Sequence, residues 1–246
     1  MTPGDVLVLR PQPGADETVA ALRAAGFPAR ALPVLAVEPR PETPALRARV
    51  QDLDRYDAVI FVSPAAVRIG MRWIDRYWPQ YPSRTVWIAV GARTADELAA
   101  FGLAAVRPEA DERAEGLLAL AELARGRVER VLIVRGEGGR ELLVEALTAR
   151  GASVDLLEVY RRRPLPVQLP PARAVAAAVA SSGEVLDAFL ESGGAALVDR
   201  PLLVPSERVA ERARAAGFRR VLPASGAGPA ATVAALEALE GSGGAP

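Results

Sequence analysis

Short apolar runs alternate along this chain with longer stretches in which apolar residues recur every three or four positions. The runs Val6–Leu9, Ala58–Val62, Thr85–Val90, Ala104–Val106, Val131–Val134 and Val154–Glu158 read as buried strands. Between them, Pro64–Tyr77, Thr94–Phe101, Glu112–Arg125 and Arg140–Arg150 carry helical spacing. Strands without alternating polar residues are buried on both faces, and strand–helix alternation with short turns makes them parallel. The expected fold class is α/β, with flavodoxin-like parallel sheets covered by helices on both faces.

The pattern also repeats. Val6–Pro39 aligns without gaps on Val131–Pro164, matching Arg10 with Arg135, Gly26 with Gly151 and Val34 with Val159. A second repeat pairs Arg93 with Arg208, Gly102 with Gly217 and Val106 with Val221, and a weaker third sets Ala58–Val67 beside Ala176–Val185. The copies do not follow in simple tandem. If each of two similar lobes holds one copy of each module, lobe one is residues 1–37 plus 172–246 and lobe two is 41–162. Two extended crossings then join the lobes, through the proline-rich segments 38–44 and 161–171, and Gly241–Pro246 is expected to be disordered.

In sheets of this kind ligands bind beyond the carboxyl ends of the strands. The loops expected there are rich in small residues: Arg10–Gly14 with Pro11, Ser63–Ala66, Gly91–Thr94, Arg135–Glu141 with Gly136, Ser181–Glu184 with Ser182, Pro205–Arg208 with Ser206, and Ala224–Gly228 with Gly226. Each opens a helix, where backbone N–H groups suit a carboxylate or phosphate. A cleft between two such lobes would offer many weak anion sites.

Composition narrows the chemistry. The 246 residues contain no Cys, His or Lys, and all 30 basic residues are Arg. Thiolate, imidazole and Schiff-base chemistry are thereby excluded, as is a Cys/His metal site; no metal and no cofactor are expected. Thirty acidic residues cancel the arginines, so no net field draws in nucleic acid or an anionic membrane. No apolar run spans a bilayer, and Met1–Val6 lacks the pattern of a secretory signal, so a cytoplasmic protein is expected. With no apolar helix face left over, a monomer is expected.

Few motifs carry specific chemistry. Arg135–Glu141 breaks the dinucleotide glycine fingerprint at Glu141 and reads better as a tight turn with positive φ. Arg161–Arg163 reads as a solvated connector, and Trp73, Trp78 and Trp87 as packing. Tyr160 stands out. It ends a strand, is expected at the mouth of the cleft, and has Leu35 as its counterpart, so repeat packing alone does not require the hydroxyl. A phenol is among the few proton donors this composition leaves.

VLVLRP (Val6–Pro11), FVSPAAV (Phe61–Val67), AVGARTADEL (Ala89–Leu98), VLIVRGEGGRELLVEAL (Val131–Leu147), VYRRRP (Val159–Pro164), SSGE (Ser181–Glu184) and VPSERVAERARAAGF (Val204–Phe218) together resemble the uroporphyrinogen-III synthase family over almost the whole chain. Val62 and Ala180 depart from it, standing where similar proteins often have threonine. The resemblance implies two α/β lobes and a cofactor-free cyclising isomerase. Its substrate would be hydroxymethylbilane, a linear tetrapyrrole with eight carboxylates, closed to a macrocycle with the last ring inverted. Tyr160 would then assist departure of the hydroxyl. Ser63, Thr94, Ser182 and Ser206, the backbone at Gly91, Gly136 and Gly226, and the loops of Arg10, Pro11 and Arg135 would hold the acetate and propionate arms. The alternative reading is a two-lobed binding or regulatory protein for a small anionic ligand, without catalysis.

Overall fold

The computed structural model describes residues 4–109, 113–139 and 141–242. The chain opens with β1 (Asp5–Val8), α1 (Gly14–Ala24), β2 (Ala29–Ala31), β3 (Leu35–Pro39) and α2 (Pro44–Gln51). It continues through β4 (Ala58–Phe61), α3 (Pro64–Tyr77), β5 (Val86–Ala89), α4 (Ala92–Ala99), α5 (Ala114–Leu118), β6 (Arg130–Gly136), α6 (Leu142–Ala149) and β7 (Ser153–Pro164). β8 (Val175–Val179), α7 (Gly183–Glu191), β9 (Leu202–Val204), α8 (Glu207–Ala215), β10 (Val221–Pro223) and α9 (Pro229–Ser242) complete it. Two compact units result, one of residues 1–37 with 163–246, the other of residues 38–162. Among the described residues no helix is long and apolar enough to cross a membrane.

The first unit is built on the sheet β10-β9-β8-β1-β2, with parallel pairings throughout. The interior strand β1, between β8 and β2, shows why the sequence reads as an uninterrupted apolar run. Leu7 and Leu9 enter one core with Phe189 and Phe218, while Val6 and Val8 enter another with Val19, Leu22 and Leu236. Strand side chains alternate between faces, so a strand covered on both sides must be apolar at every position.

The second unit is built on the sheet β3-β7-β6-β4-β5. Ala58, Ile60, Val131 and Ile133 face a core completed by Leu117, Leu123, Leu143 and Leu147. On the opposite face, Phe61 and Val134 are fully buried, and Gly70 of α3 lets that helix settle onto them: a Cβ there would stand 2.8 Å from Val134 Cγ1. Trp87 stacks on Phe61 and Trp78 donates to the Val50 carbonyl (2.6 Å), so these indoles serve packing. The side chains of Thr43, Ser63 and Ser182 cap α2, α3 and α7, each worth about 1 kcal/mol.

Strand register makes the internal duplication exact. Val131 pairs with Val154 as Val6 pairs with Ala29, which is the repeat of Val6 on Val131. Ala58 pairs with Val131 as Ala177 pairs with Val6, and Val59 with Trp87 as Ala178 with Leu202. The third repeat therefore sets Ala58 on Ala177, not on Ala176. The expected alignment was one residue out because the run Ala176–Ala178, buried at every position, has no large/small alternation to fix its register.

Several expected elements are corrected. The helix expected over Glu112–Arg125 is α5 followed by a 3₁₀ turn, Ala121–Leu123, and Glu112 itself lies outside the described residues. Leu117, Leu120 and Leu123 all pack into the core of the second unit, and extended backbone at Leu120 (ψ 137°) separates α5 from the 3₁₀ turn. Ala104–Val106 is reduced to a single bridge between Val106 and Ile88. Gly241 and Ser242 belong to α9, while 243–246, with Arg140 at the expected start of α6, lie outside the described residues. The proline-rich segments carry regular structure: β3 runs to Pro39, α2 starts at Pro44, and β7 runs to Pro164.

β7 is continuous where its copy in the first unit is broken into β2 and β3. The counterpart of Glu158 is Pro33, which has no N–H to give the ladder. β3 instead lies beside β7, with Arg40 N donating to Val159 O and Leu165 N to Val34 O (both 2.9 Å). Those bonds run in opposite chain directions, so this edge pairing is antiparallel.

Candidate functional site

Three strands of the second unit end near one cavity of about 210 Å³, and a fourth, β7, runs past it. Val62 and Val90 follow β4 and β5, Arg135 and Gly136 close β6, and Tyr160 and Arg162 lie in β7, with Leu143 and Val144 of α6 and Leu117 of α5 as apolar wall. This is the carboxyl end of a parallel sheet, where strand ends splay and loops begin.

Tyr160 is 1% exposed. Its ring packs closely against Gly136, where a Cβ would come within 2.4 Å of Tyr160 Cε2. Its hydroxyl oxygen is 3.1 Å from Ser63 Oγ and 3.1 Å from Arg162 Nη2. Ser63 Oγ also accepts from Ala66 N (3.1 Å), so one serine both starts α3 and holds the phenol. Tyr160, expected to end its strand at an open mouth, instead lies inside β7, which runs on to Pro164, and is enclosed with its hydroxyl among polar groups.

The Gly-rich loop is shaped by its own arginine. Arg135, 5% exposed, donates from Nε to Gly136 O (3.2 Å) and from Nη2 to Gly138 O, and stands 3.5 Å from Glu141 Oε1. Gly138 and Gly139 both have positive φ, at 71° and 104°, which matches the reading of a tight turn. Gly138 N donates to Glu158 Oε1 (3.3 Å), and Glu158 Oε2 accepts from Arg40 Nη1 (2.8 Å). Of the three arginines read as a connector, Arg161 pairs with Glu38 and Arg162 binds the Tyr160 hydroxyl. Arg162 therefore belongs to the site. The signal available was strand alternation beyond the register shift at Gly136: residues 160 and 162 share one face of β7.

Gly91 and Thr94, also in the second unit, sit at the start of α4. Gly91 precedes the helix in extended backbone, and Thr94 is buried at 2% exposure. Neither lines the cavity.

In the first unit, Arg10 Nη1 donates to Thr18 Oγ1 (3.2 Å) and to Ala227 O (2.9 Å). These residues border a space of about 10 Å³, shared with Ser181, Pro205 and Gly226, on the scale of a single water. Pro11 follows β1 and accepts from Ala15 N through its carbonyl (3.2 Å). Ser182 caps α7 through Val185 N (3.2 Å), whereas the Ser206 side chain makes no capping bond to α8. The residues expected to bind anions thus fall into two separate sets, one at each sheet. Among the described residues no cluster of acidic side chains is arranged to hold a metal ion.

A sequence model of the family described as Uroporphyrinogen-III synthase HemD matches residues 16–234. The uroporphyrinogen-III synthase of Escherichia coli is 34% identical over 250 residues, which cover 94% of this chain and 99% of that protein. That of Salmonella typhimurium is 34% identical over 247 residues with the same coverage. In fold, the chain is similar to a mutant uroporphyrinogen III synthase from Thermus thermophilus, with a TM-score of 0.65, 20% identity, and coverage of 96% of this chain and 99% of that one. Sequence likeness of this extent, over both sheets and the segments joining them, shows that the chain belongs to the uroporphyrinogen-III synthase family.

Proposed function

We propose that the chain performs the reaction of its family, closing hydroxymethylbilane to uroporphyrinogen III with inversion of the last pyrrole ring and loss of one water. The observation that carries this reading is the sequence likeness to uroporphyrinogen-III synthases over nearly the full length. The cavity chemistry fits it. The electron-rich pyrrole itself expels the hydroxyl, so a neutral donor such as Tyr160 is sufficient acid. A cavity of about 210 Å³ is below the roughly 300–1,000 Å³ of pockets that hold a whole small molecule. It suits one ring with one acidic arm, directed at the buried Arg135 guanidinium and the Gly136 backbone.

The remaining arms would be met by Ser63, Gly91 and Thr94 in the second unit and by Arg10, Pro11, Ser182, Ser206 and Gly226 in the first. The protein would act as a cytoplasmic monomer on the free tetrapyrrole, without nucleic acid. Its main task is conformational: unguided closure gives the uninverted ring order, so binding must favour the inverted geometry. Purified protein supplied with freshly made hydroxymethylbilane should yield the type III porphyrinogen, read as its oxidised porphyrin by isomer-resolving chromatography. Type I product alone would defeat the proposal.

A further inference from the structure

Arg162 lies in β7 two residues beyond Tyr160, on the same strand face, with its Nη2 3.1 Å from the phenol oxygen and its guanidinium carbon 5.3 Å from the ring centroid. A guanidinium can only donate, so the phenol oxygen accepts at this contact. The phenol's own proton must then point elsewhere, toward Ser63 Oγ or into the cavity that Tyr160 and Arg162 both line. The repeat does not account for this arrangement. In the first unit the counterparts of Tyr160 and Arg162 are Leu35 and Val37.

We propose that Arg162 is a positioning residue for the cyclisation: it fixes the Tyr160 hydroxyl as a proton donor toward the departing hydroxyl and stabilises the oxygen once the proton has left. The inference rests on the reading of the chain as a hydroxymethylbilane-closing enzyme. In the step it serves, the carbon–oxygen bond of the hydroxymethyl group breaks and its electron pair leaves with oxygen. The Tyr160 proton completes a water molecule, while the pyrrole nitrogen pair shifts to form a carbon–nitrogen double bond. The phenolate accepts from Arg162 and from Ser63, whose O–H can turn to donate. The proton later shed by the ring carbon that forms the new bond restores the phenol, so the balance is loss of one water.

The test compares kcat, KM and product isomer for the wild type, Arg162→Met, Arg162→Lys, Tyr160→Phe and the Tyr160→Phe/Arg162→Met double variant. Arg162 is exposed at a strand end, and Met keeps an apolar stem, so the unfolding midpoint should hold. Arg162→Met should lower kcat roughly tenfold to a hundredfold, the scale of one charge-assisted hydrogen bond, with KM little changed. Lys, which donates without the planar fork, should recover part of the loss. Added to Tyr160→Phe, the Met substitution should cost nothing further, because both remove one interaction. Unchanged kcat in Arg162→Met, a raised KM with kcat kept, or additive losses in the double variant would each overturn the proposal while leaving the enzyme assignment standing. Wild-type protein that makes no type III product would instead overturn the assignment.

Discussion

Ser63 Oγ and the Tyr160 hydroxyl oxygen stand 3.1 Å apart, although 97 residues separate them in sequence. The contact ties the start of α3 to β7, and its two ends can be removed separately. Tyr160→Phe keeps the ring against Gly136 and loses only the hydroxyl. Turnover should fall on the order of a hundredfold with little change in the unfolding midpoint. Ser63→Ala removes a helix cap as well, so it should also cost about 1 kcal/mol in chemical unfolding.

Gly136→Ala tests close approach rather than backbone strain, because Gly136 is not among the positive-φ glycines. The new methyl would meet the Tyr160 ring at 2.4 Å, so the ring or β6 must move. Overpacking of this kind should cost about 1–3 kcal/mol and lower turnover together with stability, measured on one preparation.

Arg135→Met should act mainly on binding. It strips the Gly136 and Gly138 carbonyls of a buried donor and removes the charge offered to an acidic arm. A rise in KM of about tenfold is expected, with a loss of about 1–3 kcal/mol of stability. A KM equal to wild type would remove Arg135 from the substrate-binding set.

Glu42 should make part of the stability depend on pH. The Tyr77 hydroxyl and then the Arg47 guanidinium, both donating to it, hold its carboxyl below the ordinary value of 4.5, and Arg76 lies 2.7 Å away. A carboxyl depressed in the folded state stabilises fully above its unfolded pKa and loses that contribution as pH falls through the folded one. Glu42→Gln should therefore lower the urea midpoint at neutral pH and differ less from wild type at about pH 3. An equal difference at both pH values would contradict this.

How far the sequence spoke for itself varied with the kind of feature. Buried parallel strands such as Val131–Val134 were plain, because covering both faces leaves no choice but apolar residues. The repeat of Val6 on Val131 was equally plain, since both copies keep their turn glycines. Where the residues are uniformly small, as in Ala176–Ala178, register is not legible, and Leu117, Leu120 and Leu123, spaced as on a helix face, do not reveal the extended break at Leu120. Tyr160 was picked out by its mismatch with Leu35. Arg162, hidden in a run of three arginines, was not, because its role depends on a strand face and a distance that composition does not encode.

The matched registers of the two sheets bear on how this protein can change. Each sheet carries its own apolar core, so neither half needs the other's polar side chains in order to fold. In the sequence repeat Leu35, Val37 and Pro33 correspond to Tyr160, Arg162 and Glu158. Duplication thus leaves one copy free to remain scaffold while its twin takes on reactive groups, and substitutions at equivalent positions should be felt as lost folding in one half and lost chemistry in the other.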